Sequence, residues 1–559
     1  MEHLMNRAWR ASAALALAVA ALAGCAEKSA TAHGPLPACS TAAIAVSLGV
    51  GAYAAYDAAA DSACAVFPAN ASTTDTAEYL AVLQSAGGTP GDSSGYQVEA
   101  VRAVVPPVRV SPRLRAAFAA PHASHAAQAA FDRMMLARAR RLGRAAPATG
   151  IAAPPARAAR TITPPTLDSL RTFSVCANLA CSVYTPVTAR ALAVGAHVAL
   201  FEDTLAPPNG LATADIDSLE QILDTRVYPL DTLAFGRESD VDSNGVVLVV
   251  LTNVVNEMVT ASQCSSGGYV TGFFDATDLA PATAAQHNDG EVYFGLVPDP
   301  SGTLSCAHGV ADVVAATVPS FAHEFEYMIN YVQHVLVRGA GPEDVWLDEA
   351  LANYAVELTA NSYLPADTNS WINDVFDNLY DAYQYLAAPD LHFLIDTSNM
   401  ASADDGAGWL YMRYLVDQMG TGITRQLVQT SLTGTDNVAQ VTGLPFATTV
   451  ERWALANWVS DLPGFTPPGE LAYTSWSFRT IFAELNAVDP GDFPLGFPLD
   501  PTEVTSGSLN ASGSLRAGSG LYLLVHQPVR GGADTLHINP SASPLPASLA
   551  PQLAVIRLQ

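Results

Sequence analysis

His323-Glu324-Phe325-Glu326-Tyr327-Met328-Ile329-Asn330-Tyr331, followed after a Gly339-Ala340-Gly341-Pro342 break by Trp346-Leu347-Asp348-Glu349-Ala350-Leu351, is the stretch that decides how this chain folds. Val318, Phe321, Phe325, Met328, Ile329, Val332 and Val335 recur at helical spacing, which predicts an amphipathic helix over about 318–335. Pro319 then belongs in its first turn, where a missing N–H costs little. Helical residues four apart share a face, so His323 and Tyr327 point the same way, with Glu324 about 100° round. The pattern H-E-x-x-H sets two imidazoles one turn apart on a single Zn²⁺, with the Glu beside them as general base. Here the first His and the Glu are present, and Tyr327 stands where the second His belongs.

Pro342, Glu343 and Asp344 mark the start of a second helix. Its apolar positions Trp346, Leu347, Ala350, Leu351, Tyr354 and Leu358 leave Glu349, Asn353 and Glu357 on another face. Glu349, in Trp346-Leu347-Asp348-Glu349-Ala350-Leu351, is a carboxylate that could complete a site with His323.

The whole run HEFEYMINYVQHVLVRGAGPEDVWLDEALANYAVEL, residues 323–358, resembles the hyicolysin-type metallopeptidases within the wider gluzincin group. Their pattern is approximately HEFQHMINY followed by a W-L-N-E-G-L helix. The resemblance extends over about 166–464, through Asp240-Val241-Asp242-Ser243-Asn244-Gly245 and the Gly408-Trp409-Leu410-Tyr411-Met412-Arg413-Tyr414-Leu415 helix. It implies zinc, with His323 and Glu349 as ligands, Glu324 as general base and Tyr327 in the place of the third ligand. It also implies hydrolysis of peptide bonds in a protein or peptide substrate.

Two departures from the pattern bear on activity. A phenol must lose a proton of reference pKa about 10 before it becomes a good zinc donor, although the ion itself lowers that cost. Such families also often carry a Tyr before the G-x-L helix, suited to stabilising the oxyanion, whereas this chain has Asp404-Asp405-Gly406. Both departures point towards loss of catalysis. Two functions therefore stand: a zinc endopeptidase with a degenerate metal site, and a catalytically inactive descendant that binds peptides or cell-surface polymers. His334 shares nearly the same face as His323 but lies three turns on, about 16 Å away. His287 and His308 have no spacing that recommends them, and Glu326 points away, as a solvated residue would.

Asp240, Asp242 and Asn244 form D-x-D-x-N-G ahead of the apolar run Val246 to Leu251. That spacing offers oxygens on alternate residues and a Gly for a sharp turn, as in the first half of a calcium loop. The acidic residue that closes an EF-hand would fall at Leu251, so the choice is between a calcium site of another kind and an Asx-rich turn.

A net charge of −27 excludes nucleic acid as a main partner. Arg7 and Arg10 precede an apolar run from Ala11 to Ala23 that ends in Leu22-Ala23-Gly24-Cys25. The run is too short to span a bilayer and has the form of a secretory signal. The small residues before Cys25 resemble a bacterial lipobox. The expectation is an exported monomer that meets the membrane only through a lipid on Cys25, at the outer membrane where a cell has two. Seven Cys less Cys25 leave six. Sequence neighbours suggest the disulfides Cys39–Cys64, Cys176–Cys181 and Cys264–Cys306, the simplest of several pairings in an oxidising compartment.

The predicted fold class is α+β: a gluzincin-like domain of mixed sheet and active-site helices, flanked by two β-sandwich-like domains. The predicted boundaries are a signal peptide and lipobox at 1–25, a tether at 26–37 and an N-terminal β domain at 38–110. A basic helix and Ala/Pro-rich linker then cover 111–165, the metallopeptidase-like domain 166–464 and a C-terminal β domain 465–559. In the basic segment, Arg133, Arg138, Arg140, Arg141 and Arg144 lie on or just after a predicted helix at about 124–142. Its plain reading is a solvated helix and linker; the functional reading is a docking arm or a propeptide-like segment.

Overall fold

A computed structural model describes residues 43–59, 64–101, 126–145, 163–280, 286–396, 401–505, 508–539 and 544–559. The signal-like run, Cys25 and Cys39 lie outside these residues, as does most of the Ala/Pro-rich linker. The described chain is α+β, with three sheets and a helical body.

The first five strands are β1 (Ile44–Ala45), β2 (Tyr53–Asp57), β3 (Cys64–Phe67), β4 (Ala77–Ser85) and β5 (Ser93–Val101). The last five are β12 (Thr502–Thr505), β13 (Ser508–Arg516), β14 (Gly520–Gln527), β15 (Asp534–Ile538) and β16 (Pro551–Arg557). The expectation of separate N- and C-terminal β domains is corrected here, because these strands interleave. One sheet runs β1-β3-β15-β5-β13 and the other β12-β14-β4-β16-β2. β4 pairs antiparallel with both β14 and β16, so the two ends of the chain close one sandwich.

Strand alternation explains why β4 and β16 read as continuous apolar runs. In β4, Tyr79, Ala81 and Leu83 face the sandwich core, while Leu80 and Val82 face the helical body. In β16, Leu553 and Val555 face the sandwich, and Ala554 and Ile556 the helices. Residues i and i+2 share a face of a strand, so both faces are buried at once. The expected boundary at 465 also moves, since helix Phe478–Val488 packs its Phe478 and Phe482 on Trp409 and Tyr383.

The central sheet contains β6 (Leu170–Cys176), β7 (Tyr184–Val194), β8 (Val198–Asp203), β9 (Val247–Leu251), β10 (Gly272–Phe274) and β11 (Val292–Gly295). Its order is β10-β11-β9-β8-β7-β6; β8, β9 and β11 are parallel, and β10 is antiparallel at one end. β9, Val-Leu-Val-Val-Leu, is buried on both faces, as a central parallel strand requires.

Five helices frame the candidate site: α1 (Ala126–Ala145), α2 (Val310–Tyr331), α3 (Val345–Asn361), α4 (Thr368–Ala387) and α5 (Ser402–Met419). α2 starts eight residues before its expected first residue and continues as a π-helical turn over Val332–Val337. Pro319 is consequently inside the helix and not in its first turn. Proline cannot donate to the carbonyl four residues back; that carbonyl, of Ala315, accepts Asn373 Nδ2 from α4 instead. α3 begins after Asp344, as its Pro-Glu-Asp start implied. Glu357 locks α3 to its neighbours: its carboxylate accepts Trp409 Nε1 at 2.9 Å, Trp476 Nε1 at 2.8 Å and Arg413 Nη1 at 3.2 Å. Cys176–Cys181 and Cys264–Cys306 are disulfides with Cα separations of 5.1 and 6.1 Å. Cys64 is also disulfide-bonded.

Candidate metal centre

α2 buries Phe321, Phe325, Met328 and Ile329 against the central sheet and α3, which fixes the rotation of the helix and so the aim of its polar residues. His323 Nε2 lies 3.6 Å from Glu349 Oε2 on α3 and 2.8 Å from the Tyr327 hydroxyl. Tyr327 also hydrogen-bonds Glu349. The three sequence-predicted donors thus converge from two helices. Asn353, one turn after Glu349, hydrogen-bonds the His323 ring, the kind of contact that orients a ligating imidazole.

Glu324 is buried; its Oε2 accepts the Phe274 N–H of β10 at 3.0 Å, and its Oε1 has no protein partner. A carboxylate oxygen buried without a partner is costly. Asp132 of α1, His323 and Glu324 each bring a ligand atom within 4.8 Å of the others.

Acidic charge accumulates around this point. Burial, reinforced by Glu324 and Glu349, holds the Asp132 carboxyl well above the usual range. Burial does the same to Glu324, with Glu349 and Asp348 adding to it, and to Asp348, with Glu343 and Glu349 adding to it. Asp405 is raised by burial and by Glu349 and Asp381. Glu349 is pushed up to about 7 by burial, while the Tyr327 hydrogen bond and Arg133 pull it down. Burial drops His323 to about 4, so its imidazole is neutral and suited to ligation. Tyr327 is raised well above the phenol range by burial and by the surrounding carboxylates, so it is a neutral phenol here. Several buried carboxylates beside one neutral imidazole form a donor set that fits a divalent cation.

The histidines that sequence spacing could not place are elsewhere. His334 is buried and its Nε2 donates to Leu427 O at 3.3 Å, near Glu343. His287 sits beside Asp289, and His308 beside Cys306. Glu326 is corrected from solvated to fully buried; its Oε1 accepts Asn330 Nδ2 and burial keeps its carboxyl well above the usual range. Asp404 is an N-terminal cap of α5, accepting Ala401 N–H.

The basic helix is also corrected. α1 is not solvated but packed across this site. Phe131 meets Phe273 edge-on at 5.2 Å, and Leu136 joins the main core. Asp132 and Gln128 are the residues that sequence reading missed. Asp132 is the lone acid in a helix rich in Arg, set between apolar Phe131 and Met135, and that contrast was the available signal.

At the D-x-D-x-N-G turn, Asp240 Oδ1 accepts Gly245 N–H, and Asp242 Oδ2 pairs with Arg171 at 3.0 Å. Glu291, beside β11, brings a carboxylate oxygen within 4.8 Å of both Asp240 and Asp242. Asn244 spends its Oδ1 on Val246 N–H, closing the turn.

No family model matches the chain. The neutral metalloprotease ShpI of Staphylococcus hyicus is 27% identical to it over 201 residues. The chain has a distant metallopeptidase relative. The match covers 32% of this chain and 43% of ShpI, so the chain spans less than half the length of that metalloprotease.

Proposed function

We propose that this protein is a zinc-dependent endopeptidase of the hyicolysin type, with a gluzincin-like site whose second imidazole has become Tyr327. The observation that carries this reading is the convergence of His323 Nε2 and Glu349 Oε2 to 3.6 Å, with a ligand atom of Glu324 within 4.8 Å of one on His323. His323 and Glu349 would hold the metal, with Tyr327 at the third position. Zinc bound there supplies Lewis acidity to the carbonyl and the attacking water. Glu324, anchored through Phe274 N–H, takes the proton from that water and returns it to the leaving amine of a peptide substrate. Asn353 keeps the His323 ring in the ligating orientation. Metal analysis of the purified protein, with casein hydrolysis in the native and Glu324→Gln chains, tests the reading. Near-stoichiometric zinc and hydrolysis lost in Glu324→Gln support it.

The buried, neutral Tyr327 phenol favours a second reading, in which the protein binds peptides or cell-surface polymers without cleaving them. Absence of zinc from protein purified without chelator supports that alternative.

The D-x-D-x-N-G turn is read as a calcium site of non-EF-hand type. Glu291 supplies the closing carboxylate that Leu251 cannot; it is 1% exposed and its Oε2 lacks a protein partner. Asp240 and Asp242 supply the remaining carboxylates, and Arg171 offsets part of their charge.

A further inference from the structure

Helix α1 brings two polar side chains to the metal centre from outside the two helices that define it. Asp132 is 6% exposed and lies with His323 and Glu324 in one donor cluster. Gln128, one turn earlier, uses its amide as a peptide group would. Its Oε1 accepts the Thr271 N–H at 2.7 Å, and its Nε2 donates to Gly272 O at 2.9 Å and to Asp132 Oδ1 at 2.7 Å. Thr271 and Gly272 stand at the head of β10, the strand that ends the central sheet and whose Phe274 N–H holds Glu324. An extended peptide is commonly recognised through backbone groups at such a sheet end.

The same helix is anchored further along. Arg140 pairs with Asp344, the residue before α3, at 2.6 Å, and Arg138 lies 3.7 Å from Asp275, just after β10. Between α1 and α2 remains a cavity of about 20 Å³ lined by Met135, Phe274, Tyr327 and Asp348 among others, room for about one water and none for a peptide.

We propose that α1 is a built-in occupant of the substrate groove: Asp132 adds a carboxylate to the metal's donor set, and Gln128 takes the backbone groups at the head of β10. The chain is thereby held closed until α1 is displaced by the substrate or removed. The proposal rests on the metallopeptidase reading for the role of Asp132, while groove occupancy by Gln128 is testable without metal.

The test uses the full chain carrying Glu324→Gln, so that no probe is consumed. A fluorescein-labelled gelatin peptide pool is the probe, and binding is read by anisotropy in EDTA and again with zinc. Gln128→Ala with Asp132→Ala should tighten probe binding at least tenfold in EDTA. Arg140→Ala, which loosens only the outer anchor, should shift it in the same direction by about threefold. Equal affinity in all three folded proteins overturns groove occupancy. Asp132→Ala should separately change the visible spectrum of the Co²⁺-loaded chain and speed cobalt release to a chelator at least tenfold; an unchanged spectrum and release rate overturn Asp132 as a donor. A parent chain that binds neither zinc nor cobalt overturns the metallopeptidase reading and the donor role together, and the EDTA anisotropy still decides the groove.

Discussion

The Tyr327 hydroxyl lies 2.8 Å from His323 Nε2 and also hydrogen-bonds Glu349. It therefore occupies the point to which an imidazole at position 327 would be directed. On the proposed reading, the departure from H-E-x-x-H changes the donor chemistry while His323, Glu349 and position 327 stay together.

Tyr327→His should raise zinc affinity by at least tenfold, measured by competition with a chelator of known strength. Because the imidazole is neutral at physiological pH and the phenol is not a ready donor, the gain comes without deprotonating a buried tyrosine. Casein hydrolysis should rise with it and vanish again on adding Glu324→Gln. A folded Tyr327→His chain with unaltered zinc affinity would show that Glu349 does not share the metal with position 327.

Calcium should raise the thermal midpoint of the native chain, with about 2.7 kcal/mol of stabilisation at a hundredfold excess over Kd. Glu291→Gln should remove most of that increment, because it deletes the carboxylate that the turn itself cannot supply. Calorimetric scans with and without calcium provide the comparison, and an undiminished calcium effect in Glu291→Gln would reject the assignment.

Stability should fall as pH rises from about 5 to about 8. Burial pushes Glu343 up to about 8 and Asp374 up to about 7, whereas both titrate near 4 in an unfolded chain. Between those values the folded state holds more protons than the unfolded state, so raising the pH favours unfolding. Glu343→Gln, which cannot ionise, should flatten the slope of urea-derived stability against pH across this window. A slope identical to that of the native chain would refute the contribution of Glu343.

Glu357→Ala should destabilise the fold by about 3–5 kcal/mol, the usual cost of breaking a buried ion pair. It takes one of two carboxylate partners from Arg413, which keeps Asp417, and leaves the indole N–H groups of Trp409 and Trp476 without their acceptor. Urea denaturation followed by tryptophan fluorescence reads this directly, and a loss below about 1 kcal/mol would show that α3, α5 and the segment at Trp476 are held together by packing alone.

The sequence by itself determined what depends on local period. Spacing of 3.6 residues put His323 and Tyr327 on one face, Pro342-Glu343-Asp344 started α3, and Glu349 was recognisable from its Trp-Leu-Asp-Glu context. The continuous apolar run Val246 to Leu251 marked β9. What these patterns could not specify was which strands are partners. The hydrophobic faces of β4 and β16 are satisfied by any complementary apolar surface, and only packing of the whole chain chose each other and the helical body over separate terminal domains. The partners of Glu291 and Asp132 could not be read for the same reason. A carboxylate far along the chain carries no sign of which turn or helix it will meet, and its proximity arises only when burial of Phe131, Leu136 and the strands of the central sheet fixes the backbone that carries it.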